Sequence, residues 1–158
     1  MSRMRIVASI GVALASVGPA AAAEPPPPGA PAAAYAEECG SCHLAYPARL
    51  LPRASWDAVL DGLARHFGQD ASVDAATLPL LRAHLDAGAR QPRASDVRPD
   101  GSPILRITEL PWFRHEHGRF DRDDAWQRPS IGSAANCGAC HREADQGKFG
   151  EHGIRVPK

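Results

Sequence analysis

The pentapeptide Cys-Gly-Ser-Cys-His stands at residues 39–43 and Cys-Gly-Ala-Cys-His at residues 137–141; between them they hold all four cysteines of the 158-residue chain. Half of such a chain is small: at about 60–70 residues a domain buries only about 60% of its unfolded surface and needs a staple. The cysteines must be part of that staple. A four-cysteine zinc site needs both motifs on one metal. A thioredoxin-type dithiol needs one motif, at a helix start after a strand. A disulfide across two intervening residues closes a very small loop and adds little stability. None of these explains the histidine directly after each second cysteine, and with seven histidines in 158 residues two such placements are a poor coincidence. Covalent haem c does explain it: two cysteines form thioethers with the porphyrin vinyl groups, and the next residue turns its imidazole to the iron. Cys39, Cys42, His43 and Cys137, Cys140, His141 are therefore read as two attachment sites for two covalently bound haem c groups.

The N-terminus fits export, which haem c attachment requires. Arg3 and Arg5 precede an uncharged, mostly apolar run over residues 6–17, and Ala21, Ala22 and Ala23 offer small residues for cleavage. Residues 1–23 are read as a signal peptide, and the expected location is the periplasm. The run is far short of the ~20 residues a membrane helix needs. Losing Arg3 and Arg5 from eighteen basic side chains, against eighteen acidic ones, leaves a net charge of −2. That balance gives no reason to expect nucleic acid or an acidic membrane surface as partner.

Residues 24–34, beginning EPPPPGAP, are read as a Pro/Ala-rich tether. Two small haem-binding domains are expected to follow, over residues 35–92 and 93–158, with the stretch ARQPRASDVRPDGSP at 89–103 as linker. Beyond the pentapeptides the halves do not match each other. No useful run of alternating apolar and polar residues is present, so the chain is expected to be mainly α-helical with long loops.

The other iron ligands are limited by composition. The only methionines are Met1 and Met4, inside the signal peptide, so methionine ligation is excluded once that segment is removed. His66, His84, His115, His117 and His152 remain, and six-coordinate irons would then be bis-histidine. The stretch SWDAVLDGLARHFG (Ser55 to Gly68) reads as an amphipathic helix capped by Ser55, with His66 on its buried face. That makes His66 the favoured partner of the first haem. His84 lies at the edge of the stripe of a second helix, Thr77 to Gly88, and is the runner-up. ELPWFRHEHGRF (Glu109 to Phe120) can open a helix at Pro111 and close it at Gly118. Residues two apart on a helix point to nearly opposite sides, so His115 and His117 cannot both face one iron. His117 shares a side with Phe113 and His115 with Trp112; the pattern does not choose. His152 lies in a glycine-flanked tail and reads as surface.

The segments CGSCHLAYPARLLPRASWDAVLDGLARHFG, RITELPWFRHEHG and NCGACHREADQGKF together resemble the small dihaem cytochromes c of bacterial periplasms. The resemblance runs from about residue 35 to 158, and the LLP…SW…HFG and PWF segments give it specificity. It implies an N-terminal domain like a class I cytochrome c and a C-terminal domain of different fold, with bis-histidine ligation at both haems. By position it supports His66 for the first iron and favours His117 for the second, with His115 as the alternative. It matches Trp56 and Trp112 to aromatic positions expected to pack as haem walls. It also implies a small oxygen-binding monohaem cytochrome as soluble electron acceptor and a membrane cytochrome b as donor.

A filled coordination sphere leaves no place for a substrate, so the expected function is electron transfer rather than catalysis. The rivals are a dihaem enzyme, or a gas or redox sensor, with one open iron site.

Overall fold

The computed structural model describes residues 26–158; the signal peptide and the first residues of the expected tether lie outside the described residues. Among the described residues the chain is helical and has no strand. Its α-helices are α1 (Ala30–Gly40), α2 (Arg53–Asp61), α3 (Leu78–Gly88) and α4 (Pro111–Arg122), joined by loops with single 3-10 turns.

The first helix begins inside the stretch read as tether. Its sequence, APAAAYAEECG, is rich in the best helix former, and its proline sits in the first turn, where a missing N–H costs nothing. Residues 30–34 are therefore helix rather than tether. Tyr35 is its buried residue, and Cys39 lies in its last turn.

The second helix is shorter than the expected Ser55-to-Gly68 element. It starts after Pro52 and ends at Asp61, where Gly62 turns the chain into a 3-10 turn over Leu63–Arg65. Ser55 is not the cap; it is fully buried within the helix, beside Trp56 and Leu60. The Trp56 indole N–H donates to the Ala48 carbonyl at 2.7 Å. The third helix follows the expected bounds and buries Leu81 and Leu85. Gly88 at its end is required by contact, because a Cβ there would lie 2.8 Å from the Ala48 Cβ. The fourth helix opens at Pro111 as expected but passes through Gly118 to Arg122.

The stretch read as a linker is tied down. The Arg90 backbone N–H donates to Leu51 O at 3.2 Å, and its guanidinium holds both Asp96 carboxylate oxygens at 2.6 and 2.7 Å. Asp96 Oδ2 also accepts from the Arg93 N–H at 2.6 Å, and the Ile104 N–H donates to the Asp96 carbonyl at 2.8 Å. One apolar cluster joins Tyr35, Leu51, Trp56, Leu60, Leu81 and Leu85 to Ile104, Leu110 and Phe113. The core thus runs across the boundary expected near residue 92. Each of the large side chains that it buries contributes about 1.5–3 kcal/mol.

Candidate functional site

The first pentapeptide follows directly from α1, which carries Cys39 in its last turn and releases the chain at Ser41. His43 Nδ1 lies 2.7 Å from the Leu44 carbonyl. A carbonyl can only accept, so the proton sits on Nδ1 and the Nε2 lone pair is left for a metal.

His66 reaches this site by a different route from the one its sequence suggests. It stands beyond α2, at the exit of the 3-10 turn, and its carbonyl accepts from the Gln69 N–H at 3.0 Å. The two residues inside this tight turn, Phe67 (φ 50) and Gly68 (φ 98), are both left-handed. That turn type suits glycine and is costly for phenylalanine by about 1–2 kcal/mol. The Arg106 guanidinium sits 4.0 Å from the Phe67 ring centroid and offsets part of the cost.

The turn sets the His66 imidazole opposite that of His43, with centroids 6.1 Å apart and planes 17° from parallel. Burial, then His43, then Arg106 lower the His66 pKa, which keeps the ring in the neutral form that binds metal.

The second pentapeptide forms a 3-10 turn over Cys137–Ala139, and His141 leaves it facing α4. His117 meets His141 there, with centroids 6.2 Å apart and planes at 66°. His117 Nδ1 lies 3.0 Å from the Phe113 carbonyl, its ring stacks on Phe113 at 4.1 Å, and Trp126 lies 6.2 Å away. Burial, then His117, lower the His141 pKa.

The remaining histidines stand apart. His115 is exposed on α4. His84 stacks on Tyr35 at 4.5 Å, and burial lowers its pKa. His152 is exposed, on the rim of a cleft of about 200 Å³ beside His141.

Both spacings suit one iron between two rings. Two imidazole–metal bonds of about 2.0 Å and two half-rings of about 1.1 Å put the centroids about 6.2 Å apart. The cysteines fit the same group. Burial pushes the Cys39 thiol up to about 11 and raises Cys137 and Cys140 as well, opposite to a redox dithiol. Among the described residues no three His, Cys, Asp or Glu side chains converge as a metal cluster.

The sequence model of the dihaem cytochromes c matches residues 35–149. The chain belongs to the dihaem cytochrome c family. Two covalently bound c-type haems come with that membership. A diheme cytochrome c from Shewanella baltica OS155, solved by X-ray diffraction, is 35% identical and superposes with a TM-score of 0.67 over 80% of this chain and 94% of its own. A diheme cytochrome c from Rhodobacter sphaeroides is 37% identical, with a TM-score of 0.63 over 74% of this chain and 95% of its own. A crystal structure of DHC purified from Rhodobacter sphaeroides is 40% identical, with a TM-score of 0.57 over 74% and 96%. No curated protein matches the chain. The mainly helical fold agrees with that of these dihaem cytochromes.

Three residues at the sites escaped the sequence reading. Trp126 lies 6.2 Å from His117, and Trp112 packs edge-on to Phe113 at 6.0 Å. Arg106 braces the turn that carries His66. Tyr46 stacks on His43 at 5.1 Å. Its position three residues after a pentapeptide was the only available signal.

Proposed function

We propose that the chain is an exported electron carrier in which Cys39 and Cys42 join one haem and Cys137 and Cys140 the other. Each iron is held between two imidazoles, His43 with His66 and His141 with His117. The observation that carries this reading is the pair of ring separations, 6.1 and 6.2 Å, each of one-iron size. The haems supply a reversible one-electron change at iron. The protein's part is to hold four imidazoles aimed. The Leu44 and Phe113 carbonyls fix two of them through Nδ1, and the Phe67–Gly68 turn and the Cys137–Ala139 turn place the other two.

With histidine on both faces of each iron, no position is open to a substrate or gas, which favours a carrier over an enzyme or sensor. Two imidazoles stabilise the ferric state relative to a thioether ligand, so low potentials are expected. A small soluble c-type cytochrome is the proposed acceptor and a membrane cytochrome b the proposed donor, through brief contacts of less than about 1,200 Å². A groove beside Ala139, lined by Arg142, Arg155 and Lys158, gives the second site a basic surface suited to an anionic partner. Among the described residues no helix is long and apolar enough to cross a membrane. A pyridine haemochrome count with absorption spectra tests the reading. Two low-spin haems per chain, unchanged by cyanide or carbon monoxide, support it; a high-spin fraction that shifts with either ligand contradicts it.

A further inference from the structure

The two haem sites are joined by one side chain. Tyr46 stands in the loop after the first pentapeptide, and its ring stacks on the His43 imidazole with centroids 5.1 Å apart and planes at 30°. Its hydroxyl donates to the Ala135 carbonyl at 2.8 Å, two residues before Cys137. That carbonyl also accepts from the Cys137 backbone N–H at 3.0 Å and lies 3.7 Å from Cys137 Sγ. From a ring facing the first iron to a sulfur that attaches the second haem, the route is thus a stack, a side chain, one hydrogen bond and a few covalent bonds.

The loop is braced for this placement. The Tyr35 hydroxyl donates to the Tyr46 carbonyl, and Tyr35 is itself buried and stacked on His84. Three residues after Tyr46, the Arg49 guanidinium donates to the Gly147 carbonyl and lies 5.9 Å from the Phe149 ring. Phe149 meets His141 edge-on at 5.5 Å.

We propose that Tyr46 is a positioning residue that fixes the two haems relative to each other and forms the bonded route for electrons between them. An electron given up by one haem would be taken up by the other. Tyr46 is neither oxidised nor deprotonated, because its proton remains on the phenol oxygen and the Ala135 carbonyl only accepts. The proposal rests on His43 being a ligand of the first iron.

The test uses the full dihaem protein with three variants. Tyr46→Phe keeps the stack and removes the donor; Tyr46→Leu removes both; Arg82→Ala, which breaks a remote pairing with Asp57 and Asp61, serves as a destabilised control. The readouts are the Soret circular-dichroism couplet, which reports haem–haem orientation, and the rate of internal electron exchange after flash reduction of one haem. Tyr46→Phe is expected to change the couplet and to slow exchange about fivefold, the factor one lost hydrogen bond gives in the equilibrium between joined and separated loops. Tyr46→Leu should slow it further, and Arg82→Ala should lower the melting temperature with couplet and rate intact. A Tyr46→Phe protein with the native couplet and rate overturns the proposal, and so does Arg82→Ala slowing exchange equally. If Tyr46→Leu does not accumulate, the isosteric Tyr46→Phe decides alone. Two low-spin haems in every variant would keep the ligand assignment even where this proposal fails, whereas a high-spin haem in the wild-type protein would remove the assignment itself.

Discussion

The imidazole of His117 lies flat on the ring of Phe113, one helical turn earlier, with centroids 4.1 Å apart and planes 13° from parallel. Residues four apart share a helix face, and Trp126 closes the side of this one. His115, two residues before His117, is carried to the solvent side.

This arrangement separates the two candidates on α4 by experiment. His117→Ala is expected to make one of the two haems high-spin, and His66→Ala to do the same to the other, each affecting about half of the haem absorbance. His115→Ala should leave both low-spin. Absorption spectra of the ferric proteins check this, and the opposite pattern for His115 and His117 would reverse the assignment at the second iron.

How much of this could be read from the sequence differs between residues. The pentapeptides declare their chemistry through composition alone, since no other reading uses the following histidine. The Phe113–His117 pairing was visible as helical spacing, and the family resemblance favoured His117 by position; Trp126, which arrives from a later turn, was not visible beside it. His66 was selected on the premise of a helix reaching Gly68, while the helix stops at Asp61 and a left-handed Phe67 does the aiming. Local propensity argues against phenylalanine there, so the conformation comes from tertiary contact with Arg106. The start of α1 was masked by the prolines before it, and the corner at Arg90–Asp96 by its linker-like composition.

That corner gives a pH prediction. The Asp96 side chain is 4% exposed and the Arg90 guanidinium beside it holds its carboxyl below the ordinary value of 3.8. A depressed carboxylate contributes stability that is present above the unfolded value and lost as pH falls through the folded one. Denaturant titrations should therefore show stability falling below about pH 4. Asp96→Asn should cost about 3 kcal/mol near neutrality, because Arg90 is left without its partner, and should flatten that acid decline.

The contact between α3 and the loop after the first pentapeptide should tolerate no added atom. Gly88→Ala places a methyl group 2.8 Å from the Ala48 Cβ, where nothing but backbone movement makes room. A loss of about 1–3 kcal/mol is expected in the same titrations, as for other overpacked sites.

Attachment should matter unequally to the two halves. Tyr35, Leu51, Trp56, Leu60, Leu81 and Leu85 pack together around α1–α3, while among the described residues of α4 Phe113 is the buried one, with Leu110, Ala125 and Ile131 buried nearby. A Cys137→Ala, Cys140→Ala double variant is expected to lose the far-UV signal of α4 and to expose Trp126 in fluorescence. The Cys39→Ala, Cys42→Ala pair should retain more of its helix content.

The central claim, an iron between each pair of imidazoles, is tested most directly by low-temperature electron paramagnetic resonance of the oxidised protein. The angle between ligand planes sets the splitting of the iron d orbitals, and the two pairs differ, at 17° and 66°. Two low-spin ferric signals of equal weight are expected, one rhombic from the near-parallel His43–His66 pair and one strongly anisotropic from the steeply crossed His117–His141 pair. A high-spin ferric signal from either haem in the wild-type protein, or two low-spin signals of the same type, would contradict it.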